Sequence, residues 1–269
     1  MALVWGFPAL YLVLVALLWA FQERITFPAP RSALPDPEKV LGYGQKIELR
    51  MKNGTRLAGW YLPPEDVRRP PPSFAALLWF YGNGETIGAI WPIIRDFRPP
   101  NAALLVVDYP GYGASGGRAG ERAVYEAADL AYQELLTHPA VDRRRIYVYG
   151  RSLGSAVATH AAVTHDVAGL ILESPFTSAR EMASRHYRIV PGFLVRLGLD
   201  NMTNIRRIRC PILIFHGTAD KLVPIEMGRA LAAAAAGPVE FVTIEGAGHN
   251  DTYDMGGKTY KEKLAAFVK

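Results

Sequence analysis

Eight short apolar runs, mostly separated by stretches of helical period, recur along this 269-residue chain and leave few folds open to it. The runs are "KIELRM", "RLAGWYL", "FAALLWFY", "AALLVVDY", "RIYVYG", "AGLILES", "PILIFHG" and "VEFVTIE". Short runs rich in Val, Ile, Leu and aromatic residues read as strands, and those without polar alternation read as strands covered on both faces. Helical patterns intervene at "ETIGAIWPIIRDF", "ERAVYEAADLAYQELL", "SLGSAVATHAAV", "EMGRALAAAAA" and "KTYKEKLAAFV". Two strands in succession, then strand and helix in turn, predict an α/β fold: one mostly parallel eight-stranded sheet with helices on both faces. Half of the residues are apolar, enough to fill such a core.

The N-terminus has a different character. Ala2 to Phe21, "ALVWGFPALYLVLVALLWAF", is 20 residues without a charge, about the length that spans a 30 Å hydrocarbon layer as a helix. We expect an N-terminal membrane helix over residues 1–27, with residues 2–21 in the lipid bilayer and Trp5, Tyr11 and Trp19 near its ends. A cleaved signal peptide is the alternative, but no Lys or Arg precedes Arg24 and no small-residue cleavage site closes the run. Residues 28–40, within the proline-rich "FPAPRSALPDP", read as a stiff extended linker, and 41–269 as the domain. The net charge of +5 is spread over short groups ("RR" at 68, "RRR" at 143, "RRIR" at 206), which suit solvated loops or anionic headgroups, and no nucleic-acid partner is expected. The single cysteine, Cys210, excludes an intrachain disulfide and is expected to be a buried structural thiol.

One turn carries chemistry. Gly150-Arg151-Ser152-Leu153-Gly154 joins the strand "RIYVYG" to a helix, the setting in which a strained turn lifts a serine above a sheet. A free serine is a weak nucleophile and needs a base. Of six histidines, His138, His160, His165 and His186 lie in or beside helical patterns and His216 ends a strand, where packing roles suffice. His249, in the glycine-bracketed "IEGAGHND" after the last strand, is the candidate base. Asp220, in the loop after "PILIFHG", is the candidate acid, with Glu173 at the end of the sixth strand as the alternative; Asp251 and Asp254 are too close in sequence to orient His249 easily. Oxyanion donors are expected at the backbone N–H groups of Leu153 and of Asn83 in "WFYGNGE", with a plain strand-to-helix turn as the alternative for that loop. "GYGASG" at 111–116 matches a dinucleotide fingerprint, but it is not at the first strand-helix turn and Glu134 falls mid-helix, so no nucleotide cofactor is expected. No metal motif is present in the sequence, and we expect neither metal nor other cofactor.

The stretches "FYGNGETIG", "DYPGYGASGG", "YGRSLGSAVA", "ESPFTS", "FHGTADKLVP" and "GAGHND" together resemble the α/β-hydrolase superfamily, in particular the membrane-anchored group of α/β-hydrolase-domain-containing proteins 12, 13 and 17 and their bacterial relatives. The resemblance covers nearly the whole chain. It implies an α/β-hydrolase fold and a serine hydrolase acting on acyl esters or thioesters, often of lipids, with Ser152 as nucleophile, Asp220 as acid and His249 as base. Tyr81 departs from the group, where a histidine usually precedes Gly-Asn and braces the loop. A serine peptidase and a non-enzymatic scaffold are the alternatives. The long segment at about 174–209 is expected to be a helical cap. Its stretch "HYRIVPGFLVRLGL" could pack on the sheet or dip into the bilayer. Arg24, Arg31 and Lys39 follow the apolar run, so the positive-inside rule puts the domain on the cytoplasmic side. Pro8 allows the alternative of a kinked, one-leaflet anchor.

Overall fold

The structure, a computed structural model, describes residues 2–65, 73–187 and 191–269, with side chains from residue 9 onward. The strands are β1 (Gln45–Arg50), β2 (Arg56–Leu62), β3 (Phe74–Phe80), β4 (Ala102–Val107), β5 (Val141–Arg151), β6 (Gly169–Glu173), β7 (Ile212–Gly217) and β8 (Val239–Ile244), each at one of the eight apolar runs. The helices are α1 (Ala2–Ala20), α2 (Gln22–Thr26), α3 (Pro37–Leu41), α4 (Ile87–Phe97), α5 (Glu121–Thr137), α6 (Leu153–Thr164), α7 (Ala179–His186), α8 (Asn201–Ile205), α9 (Ile225–Ala234) and α10 (Thr252–Phe267).

The eight strands form one sheet in the order β1-β2-β4-β3-β5-β6-β7-β8. The sheet is mixed. β2 pairs antiparallel with both β1 and β4, because a short turn at residues 51–55 folds β1 back on it, and the five remaining pairings are parallel. β3, β4, β6 and β7 are buried along their whole lengths, which is why their sequences show no polar alternation. α4 and α10 pack together, while α5, α6, α8 and α9 form a second packed row. Chain order fixes this division: α4 carries the chain from β3 back to β4, and α5 then carries it past β3 to β5. Right-handed crossovers in opposite directions put the two helices on opposite faces. The reversal opens a crevice beyond the C-terminal ends of β3 and β5, the place where such sheets bind ligands.

Residues 28–36 carry no helix or strand, and they are strapped to the domain, while the rest of the expected 28–40 linker is helical. The Gly113 N–H donates to the Pro30 carbonyl at 2.7 Å, the Trp60 indole N–H to the Pro35 carbonyl at 3.1 Å, and the Ser32 hydroxyl to Thr86 Oγ1 at 2.8 Å. α3 then follows, with Asp36 before it, Pro37 in its first turn and Gly42 at φ 80° closing it. Among the described residues no helix is long and apolar enough to cross a membrane. The backbone of α1 runs Ala2–Ala20, and the side chains of residues 2–8, part of the expected membrane segment and including Trp5 and Pro8, lie outside the described residues. Cys210 is only partly buried, contrary to expectation, yet burial still pushes its thiol up to about 11.

Candidate active site

Ser152 alone makes the turn from β5 into α6, at φ 50° and ψ −116°, a region that residues with a side chain seldom occupy. Two glycines make the turn possible. A Cβ on Gly150 would stand 2.2 Å from the Gly154 carbonyl oxygen, and one on Gly154 would stand 2.1 Å from that of Phe80. Without those carbons α6 can press onto the sheet, and the Ser152 side chain projects beyond the strand ends. The Ser152 N–H donates to the Glu173 carbonyl at 2.9 Å, fixing the turn to β6.

The loop after β8 carries His249 across this edge. Its Nε2 lies 2.9 Å from Ser152 Oγ and its Nδ1 2.7 Å from Asp220 Oδ2. The other carboxylate oxygen of Asp220 accepts the N–H groups of Leu222 at 3.0 Å and Val223 at 2.8 Å, so the acid is held from both sides. Burial works against its charge, but the hydrogen bond and charge of His249 outweigh it and hold the carboxyl below the usual aspartate value. His216 approaches the same carboxylate at 3.6 Å, while its Nε2–H donates to the Val223 carbonyl at 2.8 Å. Burial depresses its pKa, so it faces Asp220 as a neutral ring. An imidazole oriented by a carboxylate and touching a serine hydroxyl can remove that proton as the oxygen attacks.

Glu173, the alternative acid, is not at His249. It is fully buried, and it accepts hydroxyls from Tyr149, Thr252 and Tyr260, the last at 2.7 Å. It also pairs with Arg151 Nε at 3.2 Å. Arg151 is a hub that the sequence reading passed over. Its guanidinium also bonds Glu85, whose second oxygen accepts the Gly82 N–H at 2.6 Å, and it donates to the His249 carbonyl and to Asn250 Oδ1, both at 2.8 Å. Burial opposes its charge, yet Glu173 and Glu85 together hold its pKa above the ordinary arginine value. One side chain thus ties the serine turn, the loop after β3 and the His249 loop to each other. A signal for it existed: Arg151 and Glu173 are register partners on adjacent parallel strands, opposite charges at the end of an apolar sheet.

Of the expected oxyanion donors, Leu153 opens α6 directly after the serine. Asn83 lies in the loop after β3 with its side chain engaged: Nδ2 donates to the Thr26 carbonyl at 2.7 Å, and Oδ1 accepts the Tyr112 hydroxyl at 2.8 Å. Its side-chain amide is committed, which leaves the backbone N–H as the group that could meet an oxyanion. Tyr81 braces this loop where the histidine of the resembled group would stand. Its buried hydroxyl donates to Asp108 Oδ1 at 3.0 Å and accepts the Tyr109 N–H at 3.0 Å. Asp108 in turn accepts the N–H groups of Ile87 at 2.9 Å and Ala114 at 3.1 Å, joining the loop to "GYGASG". That glycine-rich stretch is thus a structural partner of the site. The remaining histidines pack as expected: His138, His160 and His165 stack on Tyr61, Tyr125 and Tyr132 at 3.8, 4.2 and 4.2 Å, and His186 bonds the Leu222 carbonyl.

Comparison with known proteins agrees with this architecture. A family model described as serine aminopeptidase, S33, matches residues 71–202. The α/β-hydrolase domain-containing protein 17B of Homo sapiens is 31% identical over 220 residues, 81% of this chain and 73% of its own. An uncharacterized protein of Mycobacterium tuberculosis is 33% identical over 257 residues, 94% of this chain and 89% of its own. Among solved structures, the Pyrococcus furiosus esterase Pf2001 superposes with a TM-score of 0.73 at 18% identity, covering 89% of this chain and 97% of its own, a likeness of fold.

Proposed function

Because the chain belongs to the α/β-hydrolase superfamily, within the group of α/β-hydrolase-domain-containing proteins 12, 13 and 17, we propose that it is a membrane-anchored serine hydrolase cleaving carboxylic esters, with lipid esters and thioesters as its substrate class. The observation that carries the reading is the unbroken hydrogen-bonded line from Asp220 through His249 to Ser152. In the first half-reaction Ser152 Oγ attacks the ester carbonyl while His249 Nε2 takes its proton. The N–H groups of Leu153 and Asn83 receive the oxyanion, and His249 returns the proton to the departing alcohol or thiol, leaving an acyl-serine. Water, deprotonated by His249, then attacks the acyl-serine and releases the carboxylic acid and free Ser152. Asp220 stays ionised throughout and holds the imidazole tautomer. Protein groups and water supply every step.

Anchoring is supported by the exposure of the described part of α1, where Leu10 is 67%, Leu12 65% and Leu17 50% exposed to solvent. Apolar side chains exposed along so much of a helix call for lipid or a partner. At its foot the Arg196 guanidinium sits 4.3 Å above the Trp19 ring and donates to the Trp19 carbonyl, the arrangement of an interfacial tryptophan beside a cation. Arg24, Arg31 and Lys39 support a cytoplasmic domain.

The family model's description raises a second reading, an aminopeptidase. Such an enzyme needs a carboxylate for the substrate's α-ammonium group, and Glu85 and Glu173 beside the serine turn are both engaged by Arg151. The ester reading therefore ranks first. It is tested with p-nitrophenyl esters and aminoacyl p-nitroanilides: the full-length protein should cleave the esters, and Ser152→Ala or His249→Ala should lower kcat/KM at least about a thousandfold. Cleavage of the anilides alone would replace the esterase reading with the peptidase one.

A further inference from the structure

Between the foot of α1 and the cap segment runs a narrow groove of about 90 Å³. One wall is the N-terminal helical region, with Leu18, Ile25 and Thr26; the facing wall is α7, with Ala179 and Ala183, and Tyr187 directly after it. Ala179 and Ala183 lie four positions apart and so share one face of α7, which their small side chains keep shallow. Val195 and Leu197 complete the lining, and no charged residue lines the groove among the described residues. The one long polar side chain there, Gln22, has its amide turned onto the cap backbone: Nε2 donates to the Leu194 carbonyl at 2.7 Å and Oε1 accepts the Arg196 N–H at 2.8 Å. Gln22 thus ties the N-terminal wall to the 194–196 segment, and its amide is engaged there rather than in the groove.

Both walls are fixed to residues of the candidate site. Thr26 is held through its carbonyl by the side chain of Asn83, whose backbone is assigned to the oxyanion. α7 follows a few residues after Glu173, whose carbonyl accepts the Ser152 N–H, and its far end is pinned through His186 to the Leu222 carbonyl, two residues from Asp220. An uncharged, slot-like groove whose walls are tied to Asn83 and to the Asp220 loop, and whose other end meets the exposed apolar helix α1, matches one ligand chemistry, a linear hydrocarbon chain.

We infer that this groove receives the acyl chain of the scissile ester, so that the N-terminal helical region is a wall of the substrate site as well as a tether. The inference rests on the ester-hydrolase reading. It assigns Leu18, Ile25, Ala179 and Ala183 as chain-length determinants, and places the entrance where a lipid could slide from bilayer to serine without crossing water.

The test uses the full-length protein in detergent and p-nitrophenyl acetate, butyrate and octanoate. Wild-type kcat/KM should climb with chain length, by up to roughly fourfold per buried methylene. Ala183→Trp, which fills the groove, should lower kcat/KM for octanoate by about tenfold or more and leave acetate within about twofold. Because α7 is short, Ile25→Trp supplies the same block from the opposite wall, at a residue 46% exposed and therefore tolerant of a larger side chain. Equal losses on acetate and octanoate in Ile25→Trp, or unchanged octanoate activity in both variants, would overturn the inference and leave the esterase intact. A wild-type protein that hydrolyses none of the three esters would remove the underlying reading, and the inference with it.

Discussion

Replacing Arg151 with lysine is the perturbation most informative about how the site is held together. The arginine side chain is 8% exposed and faces two carboxylates, Glu173 (0%) and Glu85 (22%), while donating twice more to the His249–Asn250 backbone and amide. A lysine keeps the charge but presents a point of three donors in place of a planar fork, so it cannot satisfy both carboxylates and the His249 carbonyl from one position. Breaking one partner of a buried pair outright costs about 3–5 kcal/mol. Here the charge survives and Glu173 retains three hydroxyl donors, so we expect about 1–2 kcal/mol of stability lost, and a folded protein. Activity should suffer more than stability. The His249 loop loses its tie to the serine turn, and a catalytic group displaced by about 1 Å costs on the order of a hundredfold in rate. Steady-state kinetics on p-nitrophenyl acetate should show kcat down by about 10- to 100-fold with KM within about threefold, since the side chain positions the base and touches no substrate. Thermal unfolding on the same preparation keeps the two effects apart. A wild-type kcat in a variant that has lost stability would refute the positioning role and reduce Arg151 to a structural ion pair.

Three further outcomes follow from the geometry. Asp220 is depressed in the folded state, so the stability it contributes is present above the ordinary aspartate value and is lost as pH falls through the folded one; as pH falls below the ordinary aspartate value the wild type should lose stability more steeply than Asp220→Asn, measured by denaturant titration at each pH. Tyr81→Phe removes the hydroxyl that bonds Asp108 and the Tyr109 N–H and should cost about 1–3 kcal/mol in unfolding free energy, with a loss of kcat if the loop after β3 shifts. Phe193 is 81% exposed on the cap, whereas Leu197 and Leu199 of the same stretch are buried, so Phe193→Ser should lower turnover of vesicle-borne lipid several-fold and leave a soluble ester unaffected. Equal losses on the two substrates would assign Phe193 to packing.

Strands were readable because burial on both faces writes itself as apolar runs; "LILE" and "ILIF" admit little else. The serine turn was readable for a related reason, since Gly150 and Gly154 are demanded by close approach to backbone carbonyls and leave a fixed spacing. The Asp220–His249–Ser152 contact joins residues that lie after three different strands, and their order along the chain is the signal that points to it. What escaped was bonding that leaves no periodic mark. Residues 28–36 are strapped down largely through the carbonyls of Pro30 and Pro35, which any residue could have offered. α3 had a local signal, Asp36-Pro37 with Gly42 after it, hidden within a stretch whose prolines suggested extension throughout. The Arg151 hub needed knowledge that β5 and β6 are neighbours in register, which topology supplies and composition does not.

The central claim is that Ser152 is a nucleophile activated by His249, and covalent capture tests it most directly. Full-length protein treated with a fluorophosphonate, then digested and analysed by mass spectrometry, should carry the adduct on the peptide containing Ser152 at close to one per chain. Ser152→Ala should carry none, and His249→Ala should label far more slowly at the same serine. Labelling on another residue, or none on a folded wild type, would contradict the account.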